Sequence, residues 1–171
     1  MPRYAAFLRG VSPMNAKMAD LKACFEKLGL TEVRTVLSSG NVVFSSTARS
    51  EKNLRSMIEA GMSADLPRSF PVILRRLDHL QKLLSANPFA GFDVSPQAKR
   101  VVTFLSEPNA ANLSFPMELQ GARILAVQDG EVFTAYVPHE DGPVFMSLIE
   151  KTFGKNVTTR TWATVQKCVA V

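Results

Sequence analysis

The stretch Arg3-Tyr4-Ala5-Ala6-Phe7-Leu8 has a counterpart in Arg100-Val101-Val102-Thr103-Phe104-Leu105, and that pairing decides the fold. Each has the length and residue content of a strand, and similar punctuation follows each one. After the first copy, residues 18–28 place Leu21, Cys24, Phe25 and Leu28 at the i, i+3, i+4, i+7 spacing of a helix, which Gly29 closes. Residues 33–38 and 41–46 are β-rich runs separated by Ser39-Gly40, the spacing of a tight two-residue hairpin. Residues 50–64 carry Leu54, Met57, Ile58 and Met62 on one helical side, and residues 70–77 supply a fourth strand. The order βαββαβ is the ferredoxin-like plan, an antiparallel sheet with two helices on one face.

The second copy repeats the plan. A helix over 78–85 and a loop with Asn87-Pro88-Phe89 lead into residues 100–105, and a short helix is expected near 109–119. Residues 123–128 and 131–137 flank Asp129-Gly130, a type I′ hairpin signal where the first copy has Ser39-Gly40. Asp141 then caps a helix with Pro143 in its first turn, with Phe145, Leu148, Ile149 and Phe153 as the buried stripe and Gly154 as its end. Residues 156–159 supply a short last strand, and 161–169 a terminal helix with Trp162, Val165 and Val169 inward. The fold class is α+β: two tandem ferredoxin-like (βαββαβ) subdomains with antiparallel sheets. The expected boundaries are 1–77 for the first half, 78–98 for a helical linker, and 99–171 for the second half with its C-terminal helix.

Composition narrows the function classes. Of 171 residues, 46% are hydrophobic and 20% charged, the balance of a folded domain and not of a disordered tail or a disulfide scaffold. No apolar run approaches the roughly 20 residues of a membrane span, and the N-terminus lacks a signal peptide's apolar stretch, so a cytoplasmic location without a membrane partner is expected. The net charge of +5 favours anionic partners, but the densest basic groups, Arg75-Arg76 and Lys99-Arg100, are pairs and read as solvated surface. Cys24 and Cys168 are far apart with no CxxC, and read as small buried hydrophobes. Tyr4-Ala5-Ala6-Phe7-Leu8, Val42-Val43-Phe44, Val72-Ile73-Leu74 and Ile124-Leu125-Ala126-Val127 are continuous apolar runs, which imply sheets covered on both faces. Packing between the halves is the expected cover, with a second chain or a ligand as alternatives.

The words Leu8-Arg9-Gly10-Val11, Lys17-Met18-Ala19-Asp20-Leu21, Ser39-Gly40-Asn41-Val42-Val43-Phe44, Asn87-Pro88-Phe89 and Thr158-Thr159-Arg160-Thr161-Trp162 run in order along the chain. Together they resemble the bacterial domain-of-unknown-function family 1697 over essentially its whole length. The resemblance implies a tandem ferredoxin-like α+β fold and no established activity. Where the family commonly carries a Gly pair this chain has Pro13-Met14, and its usual Arg-Asn-Trp is here Arg160-Thr161-Trp162.

Topology turns these words into places. In a βαββαβ unit the first two strands run the same way, so the loop after strand one and the turn between strands two and three share one end of the sheet. Arg9, Asn15 and Lys17 are therefore expected near Ser39 and Asn41, where helix N–H groups and two cations suit a phosphate or carboxylate. Against this stands a structural role, with Gly10 and Gly40 serving turns and Ser39 and Asn41 satisfying hairpin groups. Arg160 and Trp162 form a second candidate, a guanidinium and an indole able to clamp a flat or anionic ligand, weighed against a Trp that simply packs a helix. His139-Glu140-Asp141 gathers acid and base, yet three adjacent residues cannot converge on one metal ion. No Ser/His/Asp or Cys/His signature, GxGxxG or P-loop is present, so no cofactor or metal is expected. Residues 40–45 lack the paired aromatics of an RNA-binding strand. The expected function is a non-catalytic binding domain for a small anionic ligand or a protein partner. The alternatives are an enzyme acting on a small substrate in the cleft between the halves, and a nucleic-acid accessory protein using basic surface.

Overall fold

Continuous apolar sequence puts β1 (Arg3–Leu8) at the interior of a sheet, where both faces are covered. In a computed structural model describing residues 1–48, 50–106, 117–119, 121–128, 130–137 and 144–171, β1 pairs antiparallel with strands on both sides. The chain divides into two compact units, Met1–Leu83 with Thr164–Val171, and Leu84–Ala163. The C-terminal residues that sequence reading attaches to the second half thus count with the first unit.

The first unit continues with α1 (Met18–Lys27), β2 (Thr31–Val36), β3 (Asn41–Ser45), α2 (Glu51–Asp65), β4 (Val72–Arg76) and α3 (Leu77–Ala86), which begins in this unit. Its sheet order is β2-β3-β1-β4. Helix α1 ends in a Schellman motif: Gly29, at φ 89°, donates to the Glu26 carbonyl at 3.0 Å and Leu30 to that of Phe25 at 3.4 Å. At the start of α2, Ser50 Oγ accepts from the Asn53 N–H at 3.2 Å. Tyr4, Ala6 and Leu8 share a core with Leu21 and Phe25 of α1 and Ile58 of α2. On the opposite face Ala5, Phe7, Val43 and Ile73 are also buried, so the expectation of two covered faces holds for this sheet.

In the second unit, β5 (Lys99–Leu105), β6 (Met117–Leu119), β7 (Ala122–Gln128), β8 (Glu131–Tyr136) and β9 (Val157–Thr161) form a sheet of order β6-β7-β8-β5-β9, backed by α4 (Val144–Phe153). Helix α5 (Trp162–Val169) follows. Apart from β6, the order β7-β8-β5-β9 reproduces β2-β3-β1-β4, and the molecule is an α+β fold of two tandem ferredoxin-like subdomains. The repeat extends to single hydrogen bonds: Leu8 N–H donates to the Gly40 carbonyl and Leu105 N–H to that of Gly130, both at 2.8 Å. Phe7 lies opposite Asn41 as Phe104 lies opposite Glu131. Val101, Ile124 and Val132 form the core with Phe145 and Ile149 of α4, and Tyr136 stacks on Phe145 at 4.6 Å.

Two local expectations are corrected. Residues 117–119, expected to end a helix, are β6, paired with β7 from Met117 opposite Ile124 to Leu119 opposite Ala122, with Gly121 at φ 88° in the turn. The link between β2 and β3 is four residues long, because Val36 and Asn41 are the last paired residues and both Leu37 (φ 59°) and Gly40 (φ 87°) are left-handed. The rest of the expected 109–119 helix, Asp129 of the second hairpin, His139-Glu140-Asp141 and the proposed cap and first turn at Asp141 and Pro143 lie outside the described residues.

Candidate functional site

Three chain segments meet at the end of the first sheet where β1 stops. Beyond the Leu8–Gly40 bond, Arg9 N–H donates to the Pro71 carbonyl at 3.0 Å, which ties the segment before β4 to the same place. Gly40 lies so close to the β1–α1 loop that a Cβ there would stand 2.9 Å from Val11 Cβ. The structure therefore brings the loop after strand one against the β2–β3 turn, as the parallel run of β1 and β2 requires.

Within that loop the polar groups hold one another. Ser12 N–H donates to Asn15 Oδ1 at 2.9 Å, Asn15 Nδ2 donates to the Gly10 carbonyl at 2.8 Å, and the N–H groups of Asn15 and Ala16 both donate to the Ser12 carbonyl at 3.1 Å. Across the turn, Asn41 is fully buried; its Nδ2 donates to the Val36 carbonyl and to Ser39 Oγ, each at 2.9 Å. Asn15, Ser39 and Asn41 thus build the loop end. The two cations are placed differently. Arg9 is half-buried and Lys17 is the exposed N-cap of α1, and neither side chain has a carboxylate or hydrogen-bond partner among the described residues. No acidic residue occurs within 9–19 or 36–41. Chemically, the end is a hydrogen-bonded rim carrying two cations that make no ion pair among the described residues.

The second candidate is built otherwise. Arg160 lies in β9 opposite Val102, and its Nη1 donates to the Thr159 carbonyl at 2.9 Å. Trp162 opens α5 half-buried, edge-on to Phe89 at 5.1 Å, and Phe89 is itself edge-on to Phe133 at 5.8 Å. Thr159 Oγ1 and Thr103 Oγ1 share a hydrogen bond of 2.9 Å. Guanidinium and indole are neighbours along the chain, but the indole is engaged in a T-shaped contact with Phe89.

Sequence reasoning missed one feature. An open basin of about 590 Å³ is lined by Arg3, Lys22, Glu26, Glu32, Val33, Arg34 and Val171. Arg3 Nη1 contacts Glu32 Oε2 at 2.7 Å and Ser45 Oγ at 3.0 Å, and Ser45 Oγ donates to Glu32 Oε2 at 3.0 Å. The pairing depends on an irregularity in β2 between Thr31 and Arg34, with Glu32 at φ 50°, which no residue-type signal announces. Three cations and two carboxylates in one lining largely offset each other. Elsewhere, the bidentate partner Arg76 holds the Asp78 carboxyl below its usual range in an exposed pair. Burial, then the charge of Asp65, pushes the Cys24 thiol up, against a smaller opposing effect of Lys27. Among the described residues no three His, Cys, Asp or Glu side chains gather as a metal site, and no helix is long and apolar enough to cross a membrane.

The family described as protein of unknown function (DUF1697) matches residues 1–133, a span that holds the whole loop end and stops before Arg160 and Trp162. A conserved bacterial protein from Streptococcus pneumoniae is similar in structure, with 22% sequence identity and a TM-score of 0.75 over 99% of this chain and 97% of that one. At that identity the likeness is one of fold. No curated protein matches the sequence.

Proposed function

We propose, since this chain belongs to the DUF1697 family of proteins of unknown function and takes no activity from it, that it is a non-catalytic binding domain whose recognition surface is the loop end of the first unit. Its ligand carries a small anionic group, a phosphate or a carboxylate, held by Arg9 and Lys17. The observation that carries this reading is the pair of cations, without a side-chain partner among the described residues, on a rim locked by Gly40, Val11, Asn15 and Asn41. Charge-assisted hydrogen bonds contribute about 1.5–3 kcal/mol each, and a rim already fixed loses little entropy on binding. The basin at Arg3 is less suited, because an anion there would compete with Glu32 for Arg3. Trp162 is already engaged with Phe89, so a structural role is favoured for Arg160 and Trp162.

Thermal melts against phosphate, pyrophosphate, citrate, nucleotides and oligonucleotides test the reading. A small anion raises the melting temperature of the wild type by mass action, and the double variant Arg9→Gln/Lys17→Gln loses the shift. An identical shift in the double variant places the site elsewhere. A response to oligonucleotides alone favours the nucleic-acid alternative.

A further inference from the structure

The loop end carries a second property besides its charge. Met14, at the tip of the β1–α1 loop, is 95% exposed, and Leu37, in the β2–β3 turn, is 50% exposed. Leu37 also stands at φ 59°, a left-handed position that Gly or Asn fills at lower cost and that a bulky side chain seldom occupies. Backbone preference and solvation thus both disfavour leucine there. The two apolar side chains are presented by loops tied together through Val11 and Gly40; Met14 shares its loop with Arg9 and Lys17, and neither loop carries an acidic residue.

We infer that this tip is a docking surface for another protein, engaging a segment that offers an apolar contact flanked by aspartate or glutamate side chains. The inference rests on the loop-end reading above and names the source of its anionic group: carboxylates of a partner chain. Charge complementarity decides the sign of the partner, and the exposed Met14 and Leu37 decide that it also brings apolar surface. Rigidity favours a protein over an anionic membrane. A tip held by Ser12, Asn15 and Asn41 gains from a shaped cleft, which rewards pre-organisation, whereas a fluid bilayer does not. Two cations and two apolar side chains also make a small footprint for a membrane surface, where stable anchoring takes stronger signals. Methionine suits a contact that must adapt, being unbranched and polarisable.

The test is selection of a displayed random-peptide library on the intact protein, followed by fluorescence anisotropy with the enriched peptides at low and high salt. The expected result is a consensus combining Asp or Glu with a large apolar residue, and binding that weakens with salt. Leu37→Asn keeps a residue suited to the left-handed position, so the fold is retained while the apolar anchor goes; it and Met14→Ser each weaken binding about tenfold. Failure to enrich any acidic and apolar consensus, or unchanged affinity in Leu37→Asn and Met14→Ser, overturns the inference. If those two variants bind as wild type while Arg9→Gln/Lys17→Gln does not, the apolar docking surface is refuted and the anion-binding rim stands. If no peptide is enriched but phosphatidylglycerol vesicles bind in a Leu37-dependent way, the occupant is a lipid surface and the protein partner is refuted.

Discussion

Replacing Gly40 with alanine breaks the joint on which the loop end depends. The new Cβ would lie 2.9 Å from both Val11 Cβ and Val11 Cγ2 and 3.1 Å from Leu8 Cβ, none of them the far end of a flexible chain. The residue is also held at φ 87°. A left-handed conformation costs an alanine about 1–2 kcal/mol, and forced overpacking adds about 1–3 kcal/mol, so the expected loss is about 2–5 kcal/mol. Gly10 is the internal control: it sits at φ 84° with nothing within 4 Å of the place a Cβ would take, so alanine there carries only the conformational cost. Urea titrations of the two variants, with unchanged slopes, read the difference directly. Hydrogen exchange at Leu8, whose N–H is bonded to the Gly40 carbonyl at 2.8 Å, should accelerate in Gly40→Ala and stay near wild type in Gly10→Ala. Equal midpoints for the two variants would refute the claim that loop and turn are tightly docked.

Other perturbations follow from single contacts. Asn41→Ala removes both donors to the Val36 carbonyl and Ser39 Oγ at a fully buried position and should cost about 1–3 kcal/mol in urea titrations; an unchanged midpoint would show that the turn does not need it. Thr134 Oγ1 is buried without a hydrogen-bond partner among the described residues, so Thr134→Val should stabilise the protein by about 1 kcal/mol, and a lower midpoint would contradict this. Burial holds the Cys24 thiol proton above the ordinary thiol range. At alkaline pH the unfolded chain therefore releases a proton that the folded chain keeps, and stability, level below that range, declines as pH rises through it. Cys24→Ser should flatten that decline; a parallel decline in wild type and variant would exclude Cys24 as its source.

Much of the architecture is legible in the sequence because periodicity reports burial. The paired runs ending in Leu8 and Leu105 expose the duplication, and the spacing of Leu21, Cys24 and Phe25 locates α1. The shared position of the first loop and the β2–β3 turn follows from strand direction alone. Other features have no local signal. Leucine does not advertise a left-handed conformation, so the turn beginning at Leu37 reads as shorter than it is. Residues 117–119 are too few to show alternation, and only their pairing with β7 makes them a strand. By residue type Asn15 and Asn41 suit ligand groups and turn groups equally; their partners are backbone carbonyls of Gly10 and Val36, which favours the second role. The exposure of Met14 and Leu37 is a property of the folded loops, invisible in composition.

The proposed recognition at the end of the first sheet is open to direct measurement. An ¹⁵N-labelled sample titrated with pyrophosphate tests it most directly. Chemical-shift changes are expected to concentrate on residues 9–17 and 37–41 and to be lost in Arg9→Gln/Lys17→Gln. Changes confined to residues 157–162 or to the Arg3 basin, or none at saturating pyrophosphate, would contradict it.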